Sequence, residues 1–200
     1  MVSGLGWCSP VTSWTHWTTK RGSYSTSIDV PSHVLTLSHA LHTRSFARLR
    51  LLDAFSLTDG DEDVHATCKG RLNADYLIFV TTDFFSRLDQ KLNMQKIQEV
   101  NSRYGARGVI VTTKRGGDER GIVDEWDIKS RFFCPNAGIP EDPVTGSSFP
   151  TLAAFYKLPH FVGLQDHPRR RGFVHVSMLE DGSTAISGDA VMVTTNHFLI

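Results

Sequence analysis

The sequence predicts an α+β fold, and three observations carry the prediction. Two short apolar runs, Asp75–Thr81 and Gly108–Thr113, are rich in β-branched and aromatic residues and flank a stretch of helical period. A short apolar helix, Thr151–Lys157, follows a loop dense in Pro, Gly and hydroxyl residues. The C-terminal part then supplies consecutive strands joined by an Asp-Gly turn. Strand, helix, strand order implies a helix packed on a sheet. With 200 residues, 40% of them hydrophobic, the chain can bury a core.

Composition divides the chain at residue 45. Sixteen of the first 45 residues are Ser or Thr, three of the four Trp lie there, and Asp29 is the segment's one acid. No sustained period runs through it, although residues 34–37 suit a short strand. Residues 1–45 are therefore expected to be a poorly ordered or remnant segment, and 46–200 the folded lobe. An organellar leader is also Ser-rich, but Lys20, Arg21 and Arg44 are its only strong bases and no amphipathic helix forms.

In the lobe, Phe46–Phe55 carries apolar residues at helical spacing, and Asp59–Asp63 is a solvated loop. After the strand 75–81 comes one long helix, with Asp83 as N-cap, Leu88, Leu92, Ile97 and Val100 as its apolar face, and Gly105 as C-cap. Strand 108–113 leads into a polar turn at Gly116–Glu119, and Trp126–Phe133 alternates as a strand. Pro150 suits the first turn of the helix that follows, where a missing N–H costs nothing, and Pro159 ends it. Strands at 172–178, 184–188 and 190–194 complete the chain.

Charge and cysteine content exclude several classes. Twenty-one basic and 21 acidic side chains cancel, so no global field favours nucleic acid or an anionic membrane. Arg169–Arg171 is a local basic run in a Pro-flanked loop, where a solvated connection is the commoner use. Three widely spaced cysteines, at 8, 68 and 134, fit free thiols in a reducing compartment. No run approaches the roughly 18 apolar residues of a membrane helix. The expectation is a soluble, cytoplasmic protein. His39 and His42 stand at helical spacing without a third ligand nearby, so no metal site is expected.

The chemistry concentrates between Arg131 and Ser148, where an acidic turn and a hydroxyl-glycine cluster precede a helix. Unpaired N–H groups at a helix start and the helix dipole attract small anions, and Thr145, Ser147 and Ser148 add hydroxyl groups. Asp142 places a carboxylate beside them. Gly146, without a Cβ, lets a ligand approach the backbone or permits positive φ. Each residue also has a plainer use: Asp before Pro is an ordinary turn residue, and Ser at a helix start is an ordinary cap. Cys134 suits buried filler better than acid/base work.

The run Gly138-Ile-Pro-Glu-Asp-Pro-Val-Thr-Gly-Ser147 closely resembles the signature of the phenazine-biosynthesis PhzF-like family, whose members share the fold of diaminopimelate epimerase. Similarity extends over about residues 46–200 and includes residues 105–112, 130–133, 172–177 and 186–191. The resemblance implies the C-terminal lobe of a two-lobed protein, a mixed sheet wrapped around a central helix that begins near Pro150. It implies cofactor-independent isomerisation or epimerisation of a small carboxylate-bearing metabolite by proton transfer between carbons. Asp142 matches the family's signature acid, and Gly146 and Ser147 match the residues that hold the substrate carboxylate. In diaminopimelate epimerases the second catalytic thiol occupies the position of Thr145–Ser147, not of Cys134.

The family's other lobe contributes a glutamate in a Ser-Glu-Thr context and a Gly-His-Pro motif, and neither string occurs in this sequence. Ser147-Ser-Phe-Pro150 also replaces the Ser-Ala-His-Cys common among relatives. Two readings follow: an isomerase completed by an acid/base from elsewhere, or a truncated, non-catalytic lobe that binds ligand or dimerises. A homodimer would supply a second lobe, but it would pair Asp142 with Asp142 rather than with Glu.

Overall fold

A computed structural model describes residues 23–28, 38–40, 46–70, 74–115 and 126–190. In chain order the elements are β1 (Ser23–Ile28), β2 (Ser38–Ala40), α1 (Phe46–Asp53), β3 (Val64–Lys69), β4 (Tyr76–Val80), α2 (Thr82–Ser86), α3 (Met94–Tyr104), β5 (Val109–Lys114), β6 (Ile128–Cys134), β7 (Ile139–Asp142), α4 (Phe149–Tyr156), β8 (His160–Gln165), β9 (Gly172–Met178) and β10 (Thr184–Asp189). The strands form one ten-stranded sheet in the order β1-β10-β9-β8-β6-β5-β4-β3-β2, with β7 added beside β6. β4/β5 and β6/β8 pair in parallel. The other neighbours are antiparallel, so the sheet is mixed and the fold is α+β.

Strand periodicity explains the layers. Alternate side chains of a strand face opposite sides. Tyr76, Ile78 and Val80 of β4, Val109 and Val111 of β5 and Phe133 of β6 enter one core with Leu51 and Leu52 of α1 and Ile97 and Val100 of α3. Leu77, Ile110, Ile128 and Phe132, one residue out of phase, enter a second core with Phe149, Leu152 and Ala153 of α4. Covered on both faces, β5 is buried over its first five residues, which is why its sequence is continuously apolar or β-branched.

The sheet order also implies curvature. β1 and β2 lie at opposite edges, yet the chain from Ile28 to Ser38 reaches roughly 35 Å when fully extended. A flat path across nine strands would span about 38 Å. The sheet therefore curls.

Several expectations change. The single long helix from Asp83 is two helices separated by a 3-10 turn at Leu88–Gln90. Thr81, not Asp83, caps α2 by accepting from Phe84 N–H, and Asn93 caps α3 by accepting from Lys96 N–H. Gly105 does end α3 in the left-handed region, φ 62°. β3, β7 and β8 are additional strands. Residues 1–45, expected to hold no sustained element, supply β1 and β2. The turn at Gly116–Glu119 and the strands at 34–37 and 191–194 lie outside the described residues. Among the described residues no helix is long and apolar enough to cross a membrane.

Candidate active site

The site begins where β6 reverses into β7. Pro135–Ala137 makes a 3-10 turn and Gly138, at φ 80°, turns the chain back. Only a residue without a Cβ adopts that conformation at little cost. Cys134, 5% exposed, donates its thiol to Ile139 O at 3.3 Å. Burial first, then the neighbouring Asp142 charge, pushes that thiol upward, so it stays protonated and braces the turn.

Consecutive residues of β7 then divide their work, because an extended strand sends them to opposite faces. Glu141 meets the buried Arg131 in a two-bonded pair, with Nε and Nη2 donating to Oε1 and Oε2 at 2.6 Å each. Asp89 adds a third carboxylate contact to Arg131 at 2.7 Å. Burial works against the Arg131 charge, but the Glu141 and Asp89 carboxylates outweigh it and hold the guanidinium firmly protonated. Asp142, registered opposite Phe132, falls on the α4 face.

Here Asp142 meets the rest of the cluster. Thr145 Oγ1 donates to Asp142 Oδ2 at 2.6 Å. Fully buried Gln165, at the end of β8, ties the turn together. Its Nε2 donates to Asp142 O at 2.5 Å and to Thr145 Oγ1 at 3.2 Å, while its Oε1 accepts from Thr145 N–H at 2.7 Å. Gly146–Ser148 forms a 3-10 turn leading directly into α4. A Cβ on Gly146 would stand 3.0 Å from Ile186 Cδ1. Ser147 Oγ accepts from Arg107 Nη1 at 2.6 Å. Ser148 is 1% exposed and its hydroxyl donates to Thr145 O at 2.8 Å, so it closes the turn instead of facing a ligand. Asp142, Thr145, Gly146, Ser147 and Ser148 thus occupy one compact loop.

Two participants were not singled out from the sequence. Gln165 sits in a strand whose central Gly163 disguises it. Arg107 sits within the Gly105–Thr112 similarity, and its partner Asp75 starts the strand run of β4. Arg107 Nε and Nη2 hold the two oxygens of fully buried Asp75, at 2.9 and 2.5 Å. Burial raises the Asp75 carboxyl above its ordinary range, against the lowering effect of Arg107.

Beside Gly146 opens a cavity of about 590 Å³ with Val144, Phe173, Val174 and Ile186 on its walls and Arg171 at its edge. A larger cavity of about 760 Å³ lies along α3, lined by charged residues including Arg50, Asp53, Lys96 and Glu99. The Lys96–Asp53 ion pair lies among its lining residues. The cavity beside Gly146 is lined mainly by apolar side chains and glycines, with Arg171, Ser187 and Asp189 among its residues. Among the described residues no group of three or more His, Cys, Asp or Glu side chains is placed to hold a metal.

The turn into α4 therefore gathers Thr145, Gly146 and Ser147 next to the Asp142 carboxylate, in an α+β lobe with a diaminopimelate-epimerase-like fold. Comparison with known proteins specifies the class: residues 87–196 match the profile described as phenazine biosynthesis-like protein, and the chain belongs to that family. It is 34% identical over 107 residues to the mouse phenazine biosynthesis-like domain-containing protein 1, covering 52% of this chain and 36% of that one. An uncharacterized isomerase of Halalkalibacterium halodurans is 30% identical over 139 residues, covering 66% of this chain and 46% of that protein. A solved PhzF-family protein of Enterococcus faecalis superposes with a TM-score of 0.62 at 21% identity, over 86% of this chain and 56% of its own. The chain thus spans between about a third and a half of the length of these curated relatives.

Proposed function

We propose that this chain carries one half of a cofactor-independent isomerase or epimerase site acting on a small carboxylate-bearing metabolite. The observation that carries the reading is the orientation of Asp142: Thr145 holds one carboxylate oxygen and Gln165 fixes the turn. The Gly146–Ser147 turn stands beside it at the start of α4. The isomerase name borne by the Halalkalibacterium relative supports the reaction class.

In this reading the Gly146 and Ser147 turn receives the substrate carboxylate. Asp142 moves a proton at carbon: the C–H electron pair delocalises toward the bound carboxylate, and a second acid returns a proton to another position. That second group comes from outside the loop, from another lobe or another copy of the chain. Thr145 orients Asp142, and Ser148 keeps the turn closed. The absence of Ser-Glu-Thr and Gly-His-Pro strings favours a second reading, a lobe that binds carboxylates or dimerises without turnover.

Solvent-exchange NMR separates the two. Candidate 2,3-unsaturated acids and amino acids are incubated with the full chain in deuterium oxide and followed for C–H exchange. The isomerase reading expects exchange that falls by about 100-fold or more in Asp142→Asn. Carboxylate binding without Asp142-dependent exchange would instead establish the second reading.

A further inference from the structure

Arg107 is held on three sides. Its Nε and Nη2 chelate fully buried Asp75, its guanidinium carbon lies 4.9 Å from the centre of the Phe132 ring, and Nη1 reaches Ser147 Oγ at 2.6 Å. The neighbouring Gly108 makes this approach feasible, because a Cβ there would stand 2.5 Å from Phe132 Cζ and 2.9 Å from Phe133 O. An arginine needed only to neutralise Asp75 would require neither the ring nor the serine. The side chain remains 36% exposed, so it reaches solvent beside Ser147 instead of lying in the core.

We infer that Arg107 is a positioning residue for the carboxylate clamp, fixing Ser147 as a hydroxyl donor to the bound anion. The inference rests on the reading of Gly146 and Ser147 as that clamp. Guanidinium nitrogens only donate. Ser147 Oγ is therefore the acceptor in its bond to Arg107, which orients the hydroxyl's own hydrogen toward another acceptor. A charged donor also polarises the hydroxyl and strengthens it as a donor in turn. Asp75 cancels the charge of Arg107 and sets its plane, so the clamp gains direction without an excess positive charge. Lysine could not reproduce this, since one ammonium cannot chelate Asp75 with a planar fork and still reach Ser147.

A double-mutant cycle on the full chain tests the inference, with benzoate and succinate as probes and benzamide as the neutral control. Binding is read from the amide resonances of Gly146 and Ser147. Arg107→Gln should weaken carboxylate binding by about tenfold. In a Ser147→Ala background the same change should weaken it by less than about twofold, because the arginine acts through the serine. Arg107→Lys should not rescue. Equal losses in both backgrounds, or no loss in either, would overturn the inference.

Arg107→Gln strands the Asp75 carboxylate in the core, so the cycle is repeated with Asp75→Asn added, which removes the stranded charge. Weak binding that persists in the folded Asp75→Asn/Arg107→Gln chain supports the positioning role of Arg107 apart from its pairing with Asp75, and recovery of the original affinity refutes it. Amides of Gly146 and Ser147 unmoved by either carboxylate in the unaltered chain would overturn the clamp reading, and this inference with it. Binding that ignores Arg107 overturns the inference alone.

Discussion

Glu141→Gln should destabilise the fold by about 3 kcal/mol, a cost worked from the Arg131 pair. Arg131 is 5% exposed and Glu141 11% exposed. Both N–H···O bonds between them are 2.6 Å long. Glutamine keeps the shape but removes the charge, and its amide places donors against the donors of the guanidinium. Removing one partner of a buried pair costs about 3–5 kcal/mol, because the other charge is left uncompensated. Asp89 still bonds Arg131 at 2.7 Å, but its side chain is 64% exposed. Water screens that contact, so it offsets at most about 1 kcal/mol.

For a chain of this length a loss of about 3 kcal/mol lowers the thermal midpoint by roughly 6–12 °C. Urea unfolding with a constant denaturant slope gives the free energy directly. The control is Arg131→Met with Glu141→Leu, which removes both charges and should come within about 1.5 kcal/mol of the original stability. A single substitution costing under about 1 kcal/mol, or a double as damaging as the single, would refute the reasoning.

Other outcomes follow from the same geometry. Burial pushes the Cys68 thiol up to about 12. An unfolded cysteine ionises near about 8.5, so the folded chain keeps a proton that the unfolded chain releases, and stability falls by about 1.4 kcal/mol per pH unit between those values. Cys68→Ala should flatten this part of the alkaline loss in urea titrations; an unchanged slope would count against the assignment. Gln165→Leu removes three bonds from the Asp142–Thr145 turn and should cost about 3 kcal/mol in urea, with carboxylate binding weakened beyond detection of Gly146 amide shifts. Gly163→Ala drives a methyl into the Phe149 ring and should cost about 1–3 kcal/mol. Phe149→Leu should recover part of that loss, and strict additivity of the two in thermal melts would show that they do not touch.

The parts legible in the sequence are those in which local pattern and tertiary need agree. β4 and β5 are apolar because both faces are covered, Gly105 is a glycine because its φ is positive, and Pro150 stands where α4 needs no N–H. The failures have equally local causes. The helix after β4 looked continuous because Leu88 and Leu92 keep helical spacing across the break, but Asn93 caps a fresh start there. β8 was hidden by Gly163, a residue that weakens a strand in isolation and is required here by the Phe149 ring. β7 was hidden by Pro140 and Pro143, tolerable because this short strand pairs only with β6, off the main path of the sheet. The signature loop was legible as a cluster. Its supports were not, because Gln165 and Arg107 come from sequence positions whose spacing carries no sign of convergence.

The source of those supports bears on what half a site can do. The bonds that fix Asp142, Thr145 and Ser147 come from Arg107, Gln165 and the loop itself. The adjoining Glu141 is anchored by Arg131. These bonds all join described residues of this one lobe. If the loop is the proposed carboxylate clamp, it is preorganised by its own lobe, and carboxylate affinity should survive wherever this lobe folds. Under the proposed isomerase reading, proton transfer has a different requirement, since a second acid must reach the substrate held beside Asp142. Binding and turnover are thus separable in this architecture: a partner that completes the site should raise exchange while leaving probe affinity nearly unchanged. A partner that raised affinity and exchange together would instead mean that the clamp itself is assembled between lobes.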